Sequence, residues 1–173
     1  IYSGNFSKWK GLDTLIEAIS IIKSRYQRDI QAILIGADDT SKKHYLSEAK
    51  KLNVLNNIEI INRIDHKEIY KYIAESKVGV LSNKYEADGR LFTSPLKLYE
   101  YLGAGLKVVV SKLPSIQSNI DESLVYYATP ENAESFAKTI LLAIDDVNFD
   151  SKYVQDFAKI VGEWTHIYDY LTT

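Results

Sequence analysis

The stretch Ile1-Tyr2-Ser3-Gly4-Asn5-Phe6-Ser7-Lys8-Trp9-Lys10-Gly11-Leu12-Asp13-Thr14-Leu15-Ile16-Glu17-Ala18-Ile19 decides how the rest of the chain is read. A short apolar run passes through a loop bounded by two glycines into a segment where Leu12, Leu15, Ile16, Ile19, Ile22 and Tyr26 recur at intervals of three and four. That spacing puts them on one face of a helix. Strand, turn and amphipathic helix in this order make the first half of a crossover, and Ile30 to Ile35 supplies the strand that completes it.

The pattern then repeats. Ile58 to Ile61, Val78 to Ser82, Lys107 to Ser111 and Leu124 to Tyr127 are short runs rich in branched residues, the signature of buried strands. Helix starts separate them: Asp65 followed by Glu68 has the spacing of a capping box, and Thr129-Pro130 places a cap residue before a first-turn proline. The helix after Thr129 is expected to bury Ala133, Phe136, Ala137, Ile140 and Ile144. Six strands alternating with helices predict an α/β fold, a Rossmann-like three-layer sandwich with a mainly parallel six-stranded sheet. Beyond Asn148 the strands stop, and Ser151 to Leu171 reads as one or two terminal helices. With no repeat or linker, residues 1–173 are expected to form one domain.

Composition narrows the function classes. Hydrophobic residues make up 46% of the 173, aromatic 12% and charged 25%, enough apolar surface for a compact fold. Lys and Arg total 21 against 23 Asp and Glu, so the net charge of −2 gives no bulk attraction to nucleic acid or anionic lipid, and any anion site must be local. The chain has no cysteine, which removes disulfides, thiol nucleophiles and Cys-ligated metals. His44, His66 and His166 stand singly without ligand spacing and read as surface residues; no metal or cofactor is expected. No apolar run reaches the roughly 18 residues of a membrane span and no signal-peptide pattern opens the chain, so a cytoplasmic location is expected. A methionine-free chain entering directly into a strand at Ile1 reads as an excised domain.

Open parallel sheets bind ligands beyond the carboxyl ends of their strands. The first loop there, Gly4 to Gly11, sets Lys8 and Lys10 near a helix amino end, where they could hold phosphate or simply be solvated on an ordinary turn. Its spacing fits neither the Walker loop nor the three-glycine dinucleotide fingerprint. The second, Tyr85 to Gly105, contains Ser94-Pro95, a helix start that frees the amides of Leu96 and Lys97 for an anion, with the Lys97 ammonium beside them. Ser94, Lys97 and Glu100 share a face, and an acceptor-only carboxylate suits paired ribose hydroxyls; the alternative is a Lys97–Glu100 surface pair of little energetic weight. In Asn62-Arg63-Ile64-Asp65, Arg63 and Ile64 could cover a nucleobase, or Arg63 could be solvated. Asp38-Asp39 offers either a divalent-ion pair or a loop turn and helix cap.

These residues, in this order and spacing, resemble the carboxyl-terminal domain of retaining family-four glycosyltransferases of the GT-B fold. The matching pieces are Gly4 through Gly11 with Leu-Asp-Thr-Leu-Ile-Glu-Ala, the strand Ala32 to Gly36, Ser94-Pro95-Leu96-Lys97-Leu98-Tyr99-Glu100-Tyr101, Gly105 to Ser111, and Trp164 in a terminal helix. The resemblance implies a domain that binds a nucleotide-diphosphate sugar for transfer to a glycan or lipid-linked acceptor, in the setting of bacterial surface polysaccharide biosynthesis. It implies an amino-terminal acceptor domain missing from this sequence, inactivity of the 173 residues by themselves, and membrane contact, peripheral at the inner face, only through that domain.

Residue by residue, the resemblance implies Lys10 and Glu100 as the catalytic pair. Gly4, Asn5, Lys10, Ser94, Leu96 and Lys97 lie around the donor diphosphate, Glu100 holds the ribose, and Arg63 and Ile64 flank the base. Two positions depart from the family pattern: Phe92 replaces the first motif glutamate and Asn5 replaces a diphosphate-binding arginine. Glu86, Asp88 or Arg90 could substitute. The departures keep two other readings open, a nucleotide-sugar binding module without transfer activity and a nucleotide-sugar epimerase.

Overall fold

The computed structural model describes residues 1–85, 96–118 and 120–152. Strand β1 (Tyr2–Ser3) leads through a 3-10 turn (Lys8–Lys10) into α1 (Leu12–Arg25), β2 (Ala32–Ala37), α2 (Asp39–Lys51), β3 (Ile58–Asn62), α3 (His66–Ala74) and β4 (Val78–Leu81). Helix α4 (Leu96–Gly103), β5 (Lys107–Ser111), the short α5 (Pro114–Gln117), β6 (Tyr126–Ala128) and α6 (Ala133–Asp145) follow. Every strand pairing is parallel, as crossover helices require.

Alternation along the strands sends side chains into two cores. Tyr2, Leu34, Ile60, Val80 and Val109 face one side with Leu15, Ile19 and Ile22 of α1 and Phe136 and Ile140 of α6. Leu81, Val108 and Val110 face the other with Ile73 of α3, Leu98, Tyr101 and Leu102 of α4, and Ile116 of α5. This is the three-layer sandwich that the sequence predicts.

The sheet differs from the expected single six-stranded ladder: it divides into two three-stranded sheets, β1-β2-β3 and β4-β5-β6. At the junction, among the described residues, the backbone hydrogen bonds between the two halves are made by Ile1, just before β1. The Ile1 amine donates to the Val78 carbonyl at 2.7 Å, and the Val80 N–H donates to the Ile1 carbonyl at 2.9 Å. That single link brings β1 and β4 side by side between the halves, so the strand direction of growth reverses at this point.

One cap and three boundaries also differ, the second strand running over Ala32–Ala37 rather than Ile30 to Ile35. Helix α3 starts after Asp65, but the Asp65 side chain makes no cap bond. Helix α6 starts at Ala133 rather than at Thr129-Pro130, because Asn132 Oδ1 accepts from the Ser135 N–H at 2.8 Å. Leu124 belongs to a 3-10 turn (Glu122–Leu124) capped by Asp121, so β6 begins at Tyr126. Of the apolar faces expected for α1 and α6, Tyr26 is exposed and Ile144 half-buried, at the helix ends.

Candidate functional site

In an open parallel sheet the crevice lies outside the carboxyl ends of the two strands where the order reverses. Here these are β1 and β4, and the loops that leave them are fastened together. Gly11 has φ 65°, a left-handed conformation, and a Cβ there would lie 2.0 Å from the Ser82 carbonyl oxygen, so only glycine fits. Ser82 Oγ donates to the Lys10 carbonyl at 2.9 Å, and the Lys84 N–H donates to the Trp9 carbonyl at 2.8 Å. Lys84 also pairs with Asp13 at 2.8 Å. The first loop thus rests on the end of β4.

Lys10 rides on this turn. Its Nζ stands 3.8 Å from the centroid of the Trp9 ring, among the described residues no carboxylate pairs with it, and burial holds its ammonium below the usual lysine range. A partly desolvated cation paired with no carboxylate is suited to an incoming anion. Gly4 opens the loop with its N–H on the Ile35 carbonyl at 2.9 Å. Asn5 acts mainly as a turn residue: Oδ1 accepts from Ser7 Oγ at 2.8 Å, and its carbonyl accepts from the Tyr2 hydroxyl at 2.5 Å.

Helix α4 presents the second group of polar residues. Leu98, Tyr101 and Leu102 bury one face, while Lys97 and Glu100 meet as their spacing predicts, with Lys97 Nζ donating to Glu100 Oε2 at 2.6 Å. Glu100 is only 5% exposed, which distinguishes this from a solvated surface pair. Oε1 of Glu100 lies 3.9 Å from His66 Nε2, beyond hydrogen-bond reach. Leu96 is exposed at the start of the helix. Ser94, together with Glu86, Asp88, Arg90, Phe92 and the Trp164 helix, lies outside the described residues.

The remaining expected residues line the same edge. Arg63 is exposed just beyond β3, its N–H on the Ala37 carbonyl at 3.2 Å, and Ile64 is half-buried beside it. Asp38 is the cap of α2, accepting from the Ser41 N–H at 2.7 Å, and this bonding to Ser41 holds its carboxyl below the usual carboxylate range. Asp39 accepts from Asn62 Nδ2 at 3.0 Å. Among the described residues no group of three or more His, Asp or Glu could hold a metal ion.

Three residues near the site were not singled out from the sequence. His66 is exposed, as its surface reading expects, and its ring also comes within 3.4 Å of Lys97 Nζ and 3.0 Å of the Tyr70 hydroxyl; its four-residue spacing from Tyr70 on α3 was the available signal. Ser82 and Asn83 are buried polar residues directly after an apolar strand, a break in pattern that marks the strand end facing the crevice. A cavity of about 460 Å³, lined by Ile1, Ile30, Ala32, Lys77 and Val78, opens at the amino ends of the strands and contains none of these groups.

The family model described as "Glycosyl transferases group 1" matches residues 1–159. The chain belongs to this family. Among solved structures it is similar to the catalytic domain of cholesterol-alpha-glucosyltransferase from Helicobacter pylori, with 24% identity over 91% of this chain and 93% of that one and a TM-score of 0.65. It is also similar to Anabaena HepE in complex with UDP and glucose, 18% identical over 99% of this chain and 46% of that one, TM-score 0.75. A third is sucrose-phosphate synthase from Thermosynechococcus elongatus, 21% identical over 96% and 42%, TM-score 0.79. At these identities the likeness is one of fold, that of half a GT-B glycosyltransferase; the chain spans less than half the length of the last two proteins. No curated protein matches it in sequence. No helix among the described residues is long and apolar enough to cross a membrane.

Proposed function

We propose that this group 1 glycosyltransferase chain is the donor-binding domain of a retaining hexosyltransferase, holding a nucleotide-diphosphate sugar in the crevice beyond β1 and β4. The observation that carries the reading is the buried Glu100 at this edge of the sheet, with one oxygen neutralised by Lys97 and the other clear of any hydrogen bond to His66. A half-neutralised carboxylate accepts hydroxyl protons without repelling a diphosphate nearby. In this reading Glu100 takes the ribose hydroxyls, Lys97 and the amides at the start of α4 take phosphate oxygens, and Arg63 and Ile64 flank the base.

Lys10 supplies the electrostatic part of the chemistry. As the bond between the anomeric carbon and the diphosphate breaks and the acceptor hydroxyl oxygen bonds to that carbon, negative charge grows on the departing phosphate, which takes up the proton that the acceptor hydroxyl releases. A cation already stripped of part of its water stabilises that charge more than a solvated lysine does, and the step requires no metal. Acceptor recognition, a glycan or lipid-linked molecule of bacterial surface polysaccharide assembly in the cytoplasm at the inner face of the membrane, falls to an amino-terminal domain outside this sequence. By that division of labour the 173 residues bind donor but do not transfer it.

The test is calorimetric titration of the chain with UDP, GDP, ADP and their sugar conjugates. One diphosphate is expected to bind selectively, at least tenfold more weakly after Lys10→Ala or Glu100→Ala; equal binding in all three proteins contradicts the assignment. The second reading, a binding module without transfer activity, draws on Asn5, whose side-chain oxygen is committed to its own turn. A full-length protein that binds donor yet neither transfers nor hydrolyses it would favour that reading.

A further inference from the structure

Trp9 and Lys10 close the 3-10 turn that follows β1, and both of their carbonyls are tied to the end of β4. The Trp9 carbonyl accepts the Lys84 N–H at 2.8 Å, and the Lys10 carbonyl accepts Ser82 Oγ at 2.9 Å. From within the turn, the Lys10 N–H donates to the Ser7 carbonyl at 2.9 Å. With the backbone held at these points, the two side chains keep little freedom beyond their own torsions. Both are half-buried, and they meet each other. Lys10 Nζ stands over the indole, 3.8 Å from its centroid, well inside the roughly 6 Å at which an aromatic face attracts a cation. Among the described residues the ammonium makes no hydrogen bond or ion pair, so the ring is its partner.

The choice of partner matters for an incoming anion. Lys84, on the neighbouring loop, pairs with the carboxylate of Asp13 at 2.8 Å. A carboxylate replaces the water that a lysine loses, but it cancels the charge, and a phosphate must then displace it. An indole face replaces part of that water through its quadrupole and leaves the full charge in place. Burial lowers the Lys10 ammonium below the usual lysine range, and the ring, which favours the charged form, works against that loss. We propose that Trp9 is a positioning residue of the donor site: its ring holds the Lys10 ammonium in place on the loop beyond β1, charged and without a counter-ion, for the diphosphate of the nucleotide sugar. The inference rests on the donor-site reading above and adds to it the side chain that keeps the Lys10 cation available.

Two measurements separate this inference from the reading beneath it. The first needs no ligand: the ring current of Trp9 moves the ε-methylene protons of Lys10 upfield of those of the other lysines, a resonance assigned by its loss in Lys10→Ala. The shift is expected to vanish in Trp9→Leu and to persist in part in Trp9→Phe; ε-protons at the common lysine position in the unsubstituted chain overturn the proposal. Calorimetry with whichever of UDP, GDP and ADP binds best supplies the second. Trp9→Leu, apolar but without a π face, is expected to weaken binding about threefold to tenfold, the worth of one partly desolvated cation–π contact, and Trp9→Phe to recover most of it. In a Lys10→Ala background the same Trp9→Leu change is expected to weaken binding no further, because the ring acts through the ammonium. Equal loss in Trp9→Leu and Trp9→Phe, a loss undiminished in the Lys10→Ala background, or unchanged binding in Trp9→Leu while Lys10→Ala still weakens it, each overturns the positioning role and leaves the donor site standing. If none of the diphosphates binds the unsubstituted chain, the donor-site reading fails and with it the function given to Trp9, whatever the ε-proton shift.

Discussion

Replacing Gly11 by alanine strikes the joint between the two loops that form the crevice. An L-residue in the left-handed conformation that Gly11 adopts at φ 65° costs about 1–2 kcal/mol. The added Cβ would also sit 2.0 Å from a backbone oxygen, that of Ser82, which no side-chain rotation relieves. Loop and strand end must part, breaking the bonds from Ser82 Oγ to the Lys10 carbonyl and from the Lys84 N–H to the Trp9 carbonyl. Each is worth about 1 kcal/mol. The sum is about 3–4 kcal/mol, a large part of the total stability of a small domain. Urea unfolding should therefore show a much lower midpoint at unchanged slope, with Ser82→Ala, which removes one of these bonds and adds no atoms, losing about 1 kcal/mol. A Gly11→Ala chain within about 0.5 kcal/mol of the original refutes the clamp, because a surface substitution free of such contacts costs no more.

Two other outcomes follow from the same geometry. Gly79→Ala should destabilise by about 1–3 kcal/mol, since the new Cβ would stand 2.4 Å from the Tyr101 ring, whose hydroxyl accepts the Ser3 N–H at 2.7 Å; an unfolding midpoint equal to that of the original chain would contradict it. Because burial lowers the Lys10 ammonium, diphosphate affinity should decline as pH rises through its lowered pKa, whereas Lys10→Arg, always charged, should hold its affinity over the same range by calorimetry.

The sequence was most legible where periodicity carries the signal. The apolar face of α1, the parallel pairing and the layer order follow from spacing that any buried strand and amphipathic helix must obey. Boundaries set by a single side chain were less legible: Asn132 captured the cap that Thr129-Pro130 seemed to offer, and Asp121 turned Leu124 out of β6. The division of the sheet was illegible because pairing between strand edges is made by backbone groups, which no side-chain pattern encodes. Within the site, Lys97 and Glu100 were predicted from their spacing on one helix. The surface reading of His66 holds, but its approach to Lys97, 31 positions away along the chain, was not legible, because only packing of α3 beside α4 brings the two together.

The central claim, a donor site beyond β1 and β4, is tested most directly by following backbone amide resonances as the tightest-binding nucleoside diphosphate is added. The account expects the largest shifts at Gly4, Lys10, Gly11 and from Leu96 to Glu100, with smaller ones at Arg63 and Ile64, all reduced in Lys10→Ala. Shifts concentrated instead around Ile30, Ala32, Lys77 and Val78, at the cavity beneath the amino ends of the strands, would place the ligand at the wrong end of the sheet and contradict it.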